Sequence, residues 1–499
     1  MSKFGHLVFG AILAWFAVAA APVFANQVTL SLEDGSFSVS GVLKAFDSEF
    51  FTIESEYGEL TMAAATSRCE GAGCPDMTAL VPKIHMAVSP ELGDRLVPAL
   101  IENFSSSRGF RLTARASDRG TILIDLATPT VAGTVATIEM SLMEATDGFE
   151  ALAKDDVDMA VLRRAPTLSE KRTMAENNPS AVRSQVIGWE TLRLYADAGN
   201  PFSALTVRQL MEKTGALDNE ETAGQADTFG LDGDSDSLIA LYQVMGHELS
   251  SPLQARSRDA QSDMILVTPN LSLPPPLKHI PVSASCGAPV QRDDDTFGAH
   301  PLEAPLYLYH ANVRLPKVAR DFMDYMLSVP AQRIVERSGF ISRTPVEARM
   351  DTEQGILMNA VLNSSNDVGL SDLRRAVRDL SGFGRLSLTF RFREGTRDLD
   401  DVSRSNLGYL TELLQEGRFA NRDVMFAGFS DSSGNALANL RLSLSRAENL
   451  RDTILAMMGE NAPAPERFKA QGFGEVLPLA CNDIAWGQHQ NRRVEIWLR

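Results

Sequence analysis

Near the C-terminus a polar turn, Gly428-Phe429-Ser430-Asp431-Ser432-Ser433-Gly434, runs into a stretch from Asn435 to Met458 whose apolar residues recur at helical spacing. Ala436, Leu440, Leu444, Ala447, Leu450 and Ile454 fall on one stripe. Asn439, Ser443 and Arg446 lie on a neighbouring flank, and Asp431 stands just ahead of the helix. A carboxylate in the lead-in turn and a guanidinium on an exposed flank can grip a zwitterion, the carboxylate taking an ammonium and the arginine a carboxylate. The plain alternative is a helix-capping Asp431 and a solvated Arg446.

The elements that must position this pair read as a β/α domain. Leu386, Leu388, Phe390 and Phe392 alternate as a strand, and Leu407 to Leu414 continue into a helix. Val424 to Phe426 is the strand that leads into Asp431, while Phe468 to Gly474 and Val494 to Leu498 supply the remaining strands. This arrangement resembles the peptidoglycan-binding core of OmpA-like domains. The family's turn is carried by Gly428, Phe429, Ser430, Asp431 and Gly434, its helix by Asn439, Leu442, Ser443, Arg446 and Ala447, and its last element by Asn491-Arg492-Arg493-Val494-Glu495. The resemblance implies a β/α sandwich with helices on one sheet face. It also implies that Asp431 and Arg446 bind the diaminopimelate of the peptidoglycan stem, with Ser430 and Asn439 in the same site. Arg393 departs from the pattern, standing where the family usually has Asp or Asn.

The rest of the chain bounds where such a grip would work. Its 499 residues suffice for two to four domains, and a net charge of −17 argues against a general nucleic-acid binder. Residues 1–25 read as a cleaved signal peptide: Lys3 supplies the positive start, Leu7 to Phe24 is almost wholly apolar, and Val23-Phe24-Ala25 forms the cleavage site. A retained membrane anchor is the alternative. No cysteine follows the run to take a lipid, and no later run matches its length, so a soluble, periplasmic protein is expected, associated with peptidoglycan and the outer membrane. Cys69 and Cys74 flank Glu70-Gly71-Ala72-Gly73 and are expected to form a local disulfide in an exported protein. Two thiols are half a zinc site, no nearby histidine completes it, and no metal or cofactor is expected. Cys286 and Cys481 fall in different domains and are either free or paired.

Residues 26–80 read as a small unit of short antiparallel strands. Residues 84–343 alternate strands with helices: Ile84 to Val88 is a strand, Ser89-Pro90-Glu91 opens a helix, Val157 to Leu162 ends at Arg163-Arg164, and Leu205-Thr206 opens another helix. The alternation implies a two-lobed α/β domain. Its order resembles the periplasmic substrate-binding proteins of phosphate ABC transporters. The resemblance rests on Ala151 to Ala160, Asn200-Pro201 to Leu210, Pro301-Leu302 to Tyr309, and Pro330-Ala331-Gln332 to Gly339-Phe340-Ile341. It implies an oxyanion held by helix N-termini, hydroxyls and an arginine, carried here by Ser89, Arg164, Ser235 and Ser237. Asp236 stands where the family has glycine, and Ala304 where an arginine is common. Two readings follow: a wall-anchored receptor for phosphate or a related oxyanion, partnered by an ABC transporter or outer-envelope proteins, or a wall-attached scaffold whose solute domain no longer binds phosphate. Residues 344–383 read as a helical connector, with helices from Glu347 to Leu362 and Leu370 to Leu380, before the C-terminal domain at 384–499. Gly233-Asp234-Ser235 resembles a hydrolase nucleophile motif, but no late Asp-x-x-His pair follows, and no enzyme is expected.

Overall fold

The computed structural model describes residues 27–32, 35–46, 49–75, 81–117, 120–129, 134–177, 182–214, 231–232, 234–251, 265–269, 277–286, 300–312, 314–349, 368–393, 396, 398–459 and 464–499. The expected signal peptide, 1–25, lies outside them. Among the described residues no helix is long and apolar enough to cross a membrane.

The chain divides into two compact units, the first ending at Pro82. Five antiparallel strands build the first: β1 (Gln27–Leu32), β2 (Ser38–Phe46), β3 (Phe50–Ser55), β4 (Gly58–Ala63) and β5 (Ser67–Glu70), in the order β4-β3-β2-β1-β5. Alternation decides which face is covered: Val28, Leu30, Phe51 and Ile53 are buried together. Cys69 and Cys74 are joined by a disulfide and pack against this cluster.

The second unit begins with the α/β part. Its strands are β6 (Lys83–Val88), β7 (Arg111–Ala116), β8 (Ile122–Ala127), β9 (Thr134–Leu142), β10 (Met159–Leu162), β11 (Arg183–Asp197), β12 (Leu205–Thr206), β13 (Leu231–Asp232), β14 (Ile265–Pro269), β15 (Leu277–Ile280), β16 (Val282–Ser283) and β17 (Glu303–His310). Its helices are α1 (Pro90–Asp94), α2 (Leu96–Ser107), α3 (Ala145–Ala153), α4 (Leu168–Asn177), α5 (Val207–Lys213), α6 (Ser235–Val244), α7 (Lys317–Leu327) and α8 (Val329–Arg337). A mixed sheet runs β13-β14-β11-β17-β10-β6-β9-β8-β7, with β15 also on β11. The long strand β11 serves two halves. It pairs with β17 as far as Thr191 and with β14 from Leu192 onward. One core, with Met86, Leu100, Phe104 and Phe322, lies on the first side; another, with Leu194, Leu210, Ile239 and Val267, lies on the second. Thr206 starts α5 with a reciprocal capping box to Gln209.

The C-terminal part carries β18 (Glu347–Arg349), α9 (Leu370–Leu380), β19 (Gly384–Arg391), α10 (Asp401–Gln415), β20 (Val424–Phe429), α11 (Ala436–Met458), β21 (Phe468–Gly474), α12 (Ala485–Asn491) and β22 (Arg493–Leu498). The sheet order is β18-β19-β22-β20-β21. The helix expected from Glu347 is replaced at its start by β18, which pairs antiparallel with β19 and is pinned by a bidentate Arg422–Glu347 ion pair; the rest of that expected helix lies outside the described residues. A second correction concerns the layers. Helices α10 and α11 cover one sheet face, but Ala376 and Leu380 of α9 cover the other, against Met425, Ala427, Phe429 and Trp497. The reason is that β20 and β22 are buried along their whole length, so both of their faces need a cover.

This part is fastened to the α/β part. Cys286 and Cys481 form a disulfide, Trp486 Nε1 donates to Val244 O at 2.9 Å, and Ala480, Ile484 and Trp486 join the second α/β core. On the other side, the Arg343 guanidinium stacks 4.2 Å from the centre of the Tyr409 ring.

Candidate binding sites

Strand β20 delivers Ser430 and Asp431 to the start of the C-terminal site, where Ser430 N donates to Gly474 O at 2.8 Å. Gly428 lets α11 approach this strand: a side chain there would collide with the Ser443 carbonyl. Asp431 does not cap α11. Asn435 does, its Oδ1 accepting from Leu437 N at 3.0 Å and Ala438 N at 3.2 Å. The Asp431 carboxylate instead accepts from Ser433 N at 2.9 Å through Oδ1 and from Arg492 Nη1 at 2.8 Å through Oδ2.

Arg446 is not on an exposed flank. Only 1% of it is accessible, because in its first half α11 buries Asn439, Ser443 and Arg446 while Ala436 stays exposed and Leu440 and Leu444 are only half-buried. Its guanidinium lies 5.1 Å over the Phe392 ring, and Nη2 donates to Thr396 O at 3.2 Å. Among the described residues Nε and Nη1 have no partner, nor has Arg492 Nε or the Ser430 hydroxyl, although all four atoms are buried. Burial, followed by the nearby Arg492, pushes the Arg446 pKa down, and Asp431 opposes the shift. The site is therefore a set of buried donors on two guanidiniums beside one carboxylate. Such donors are costly to leave unpaired, and they suit an incoming carboxylate; the remaining acceptor capacity of Asp431 suits an ammonium.

Of the predicted residues, the structure brings Asp431, Arg446 and Ser430 together. Asn439 acts differently: its Nδ2 donates to Ser433 O at 3.0 Å and Glu475 Oε1 at 2.8 Å, so it holds the turn. Sequence reasoning missed Arg492 as a site residue, although it sits in the Asn491-Arg492-Arg493-Val494-Glu495 run. The polar neighbours of Arg492 in that run are internal ties. Asn491 Oδ1 accepts from Leu479 N and Ala480 N. Glu495 accepts from Arg493 and Arg385; burial alone would raise its pKa, but these two arginines bring it down to about 2. Arg393, the departure from the family pattern, is exposed and pairs with Asp401.

The second candidate site lies where α3 and α6 begin. Arg163 and Arg164, at the end of β10, are both 1% exposed. Arg164 donates from Nε to Asp236 Oδ1 at 2.6 Å and holds both oxygens of Glu170 at 2.8 Å. Arg163 donates from Nε to Glu190, from Nη2 to Ser237 Oγ at 2.8 Å and from Nη1 to Asp234 Oδ1 at 3.3 Å, and it pairs with Glu91 at 3.2 Å. Asp236 Oδ2 accepts from Ala145 N, at the first turn of α3, at 2.8 Å. A helix N-terminus and a guanidinium are what an oxyanion would use, and here the Asp236 carboxylate takes both.

The predicted residues divide accordingly. Arg164 is committed to Asp236 and Glu170. Ser237 Oγ donates to Asp234 Oδ2 at 2.6 Å, and Asp234 is the cap of α6. Ser235 is the first residue of α6. Ser89 occupies the cap position of α1 without a capping bond, and its buried hydroxyl has no partner among the described residues. Negative charge is dense. Burial, and then Asp236, pushes the Glu144 carboxyl up to about 7, and burial raises Glu190 to about 7 despite Arg163.

Residues 391–492 match the OmpA family, and the C-terminal part of the chain is an OmpA family domain. Among similar proteins are a probable lipoprotein, YiaD, of Escherichia coli (strain K12), 41% identical over 107 residues, which are 21% of this chain and 46% of that protein, and outer membrane protein A of Bordetella avium, 33% identical over 88 residues, 17% of this chain and 43% of that protein. The chain thus spans less than half the length of these curated relatives. Among solved structures, an ABC-type phosphate transport receptor from Vibrio cholerae covers 52% of this chain and 99% of its own, at 15% identity and a TM-score of 0.36.

Proposed function

We propose that this is an exported envelope protein that grips the diaminopimelate-bearing stem of peptidoglycan through Asp431, Arg446, Arg492 and Ser430, by binding and not by catalysis. The observation that carries the reading is the set of buried donors on Arg446, Arg492 and Ser430, without a partner among the described residues, next to the Asp431 carboxylate. A zwitterionic centre satisfies them together: its carboxylate neutralises the guanidiniums and its ammonium meets Asp431. The match to the OmpA family over 391–492 points the same way.

For the α/β part, we propose the scaffold reading in preference to a phosphate receptor. The observation favouring it is that Asp236 already occupies the helix N-terminus and the Arg164 guanidinium. Phosphate would have to displace a resident carboxylate while facing Glu144, Asp234 and Glu91. An ABC-transporter partner belongs to the receptor reading and goes with it.

Co-sedimentation of the mature protein with purified sacculi tests the wall grip. Asp431→Ala, Arg446→Ala and Arg492→Ala should each weaken retention by roughly tenfold to a hundredfold, the worth of a charged hydrogen bond of about 1.5–3 kcal/mol. Wild-type retention in all three would end the assignment.

A further inference from the structure

A cavity of about 470 Å³ lies between α10 and the α/β part, within the roughly 300–1,000 Å³ typical of small-molecule sites. Arg343 lines it and is only 4% exposed. The guanidinium rests on Tyr409 and reaches Ser405 O at 3.4 Å through Nη2, but its Nε has no partner among the described residues. Gln185 also lines the cavity, and its buried Oε1 has no partner among the described residues. Glu412 completes the charged lining, while Arg404 and Asp401 at the cavity pair with each other. A buried donor and a buried acceptor are thus left open at one cavity.

Gly408 lies inside α10 and lines the cavity. Glycine is the poorest helix former short of proline, so a helical glycine usually answers a close approach. Here a Cβ would meet nothing within 4 Å. Gly408 is exposed, so a side chain there would project from α10 at the open side of the cavity.

We infer that this cavity binds a small zwitterion of the amino-acid class, its carboxylate on Arg343 and its ammonium facing Gln185 Oε1 and Glu412. Burial pushes the Arg343 pKa down to about 10, with Tyr409 and Glu412 opposing, as suits a cation short of a full counter-charge. The ligand would bridge the α/β part and the OmpA family domain, since Gln185 belongs to β11 and Glu412 and Gly408 to α10.

Isothermal titration of the mature protein with individual L-amino acids, with acetate and methylammonium as half-ligands, tests this. At least one amino acid should bind more tightly than either half-ligand. Arg343→Gln should weaken it by about tenfold, the scale of one charged hydrogen bond. Gly408→Leu should abolish binding by blocking the open side of the cavity while retention on sacculi persists, which separates this site from the one at Asp431. Absence of binding by every amino acid at millimolar concentration would overturn the inference, and so would binding that survives Gly408→Leu.

Discussion

Replacing Asp236 by alanine separates the two readings of the α/β part. The carboxylate is 1% exposed and accepts from Arg164 at 2.6 Å and from Ala145 N at 2.8 Å. Removing one member of a buried ion pair costs about 3–5 kcal/mol. Arg164 keeps both bonds to Glu170, so the low end, about 3 kcal/mol, is the better figure. In a domain of this size each kcal/mol moves the midpoint by about 2–4 °C, so the α/β transition should fall by roughly 6–12 °C. The change leaves Ala145 N and Arg164 Nε without the carboxylate they share in the wild type. Phosphate or sulfate at a hundred times its dissociation constant would return about 2.7 kcal/mol, nearly the whole loss. The assay is thermal unfolding of wild type, Asp236→Ala and Asp236→Asn in buffer, phosphate and sulfate. The asparagine variant keeps the seat filled and should be destabilised without rescue. Phosphate stabilising the wild type as much as Asp236→Ala, or neither anion stabilising Asp236→Ala, would show that Asp236 does not fill an anion seat.

Two further outcomes are expected. Glu144 has its carboxyl raised to about 7 by burial and by Asp236, so the folded state holds more protons than the unfolded one. Its contribution is complete below about pH 4.5 and is lost as the pH rises through 7. Melting curves across that window should lose part of their downward slope in Glu144→Gln, and an unchanged slope would contradict the assignment. The Cys286–Cys481 disulfide closes a sequence separation of 195 residues, for which loop entropy gives roughly 5 kcal/mol. The double serine variant should therefore melt well below wild type. It should also hold sacculi less firmly, because the Cys481 loop runs between Glu475 and Arg492; equal retention would show that the loop needs no such anchor.

The C-terminal elements are legible in the sequence because their patterns are local. The alternation of Leu386, Leu388 and Phe390 and the helical spacing into Ile454 each need only a few neighbours to read. What fails is long-range. The Arg446 flank reads as exposed because arginine is charged, yet the first half of α11 faces the turn and Phe392. Nothing in the spacing of α9 says that it covers the second face of the sheet; only the apolar, non-alternating run Val424–Phe429 hints at it. Arg492 and Arg493 are adjacent and identical in type, and only pairing separates them, one with Asp431 and the other with Glu495. Asp236 is visible as a departure from glycine, but its seat on Ala145 N, 91 positions away, is not.

The fastening of the C-terminal domain bears on the scaffold reading independently of Asp236. A receptor that closes on a solute needs its two halves to hinge. The halves here meet along β11, and the OmpA family domain holds both. On the side of the second core it is tied by the Cys286–Cys481 disulfide, by Trp486 to Val244 and by the Arg208–Asp483 ion pair at 2.9 Å. On the side of the first core it is tied by Arg343 on Tyr409, with the Arg343 backbone N–H donating to Gln332 Oε1 at 2.6 Å. A hinge motion about β11 would have to break one of these sets. The covalent one cannot yield without reduction, so the stacked Arg343 contact would have to give way. A filled anion seat and a bridged hinge are separate features of the structure, and each favours the proposed scaffold reading of the α/β part over oxyanion capture.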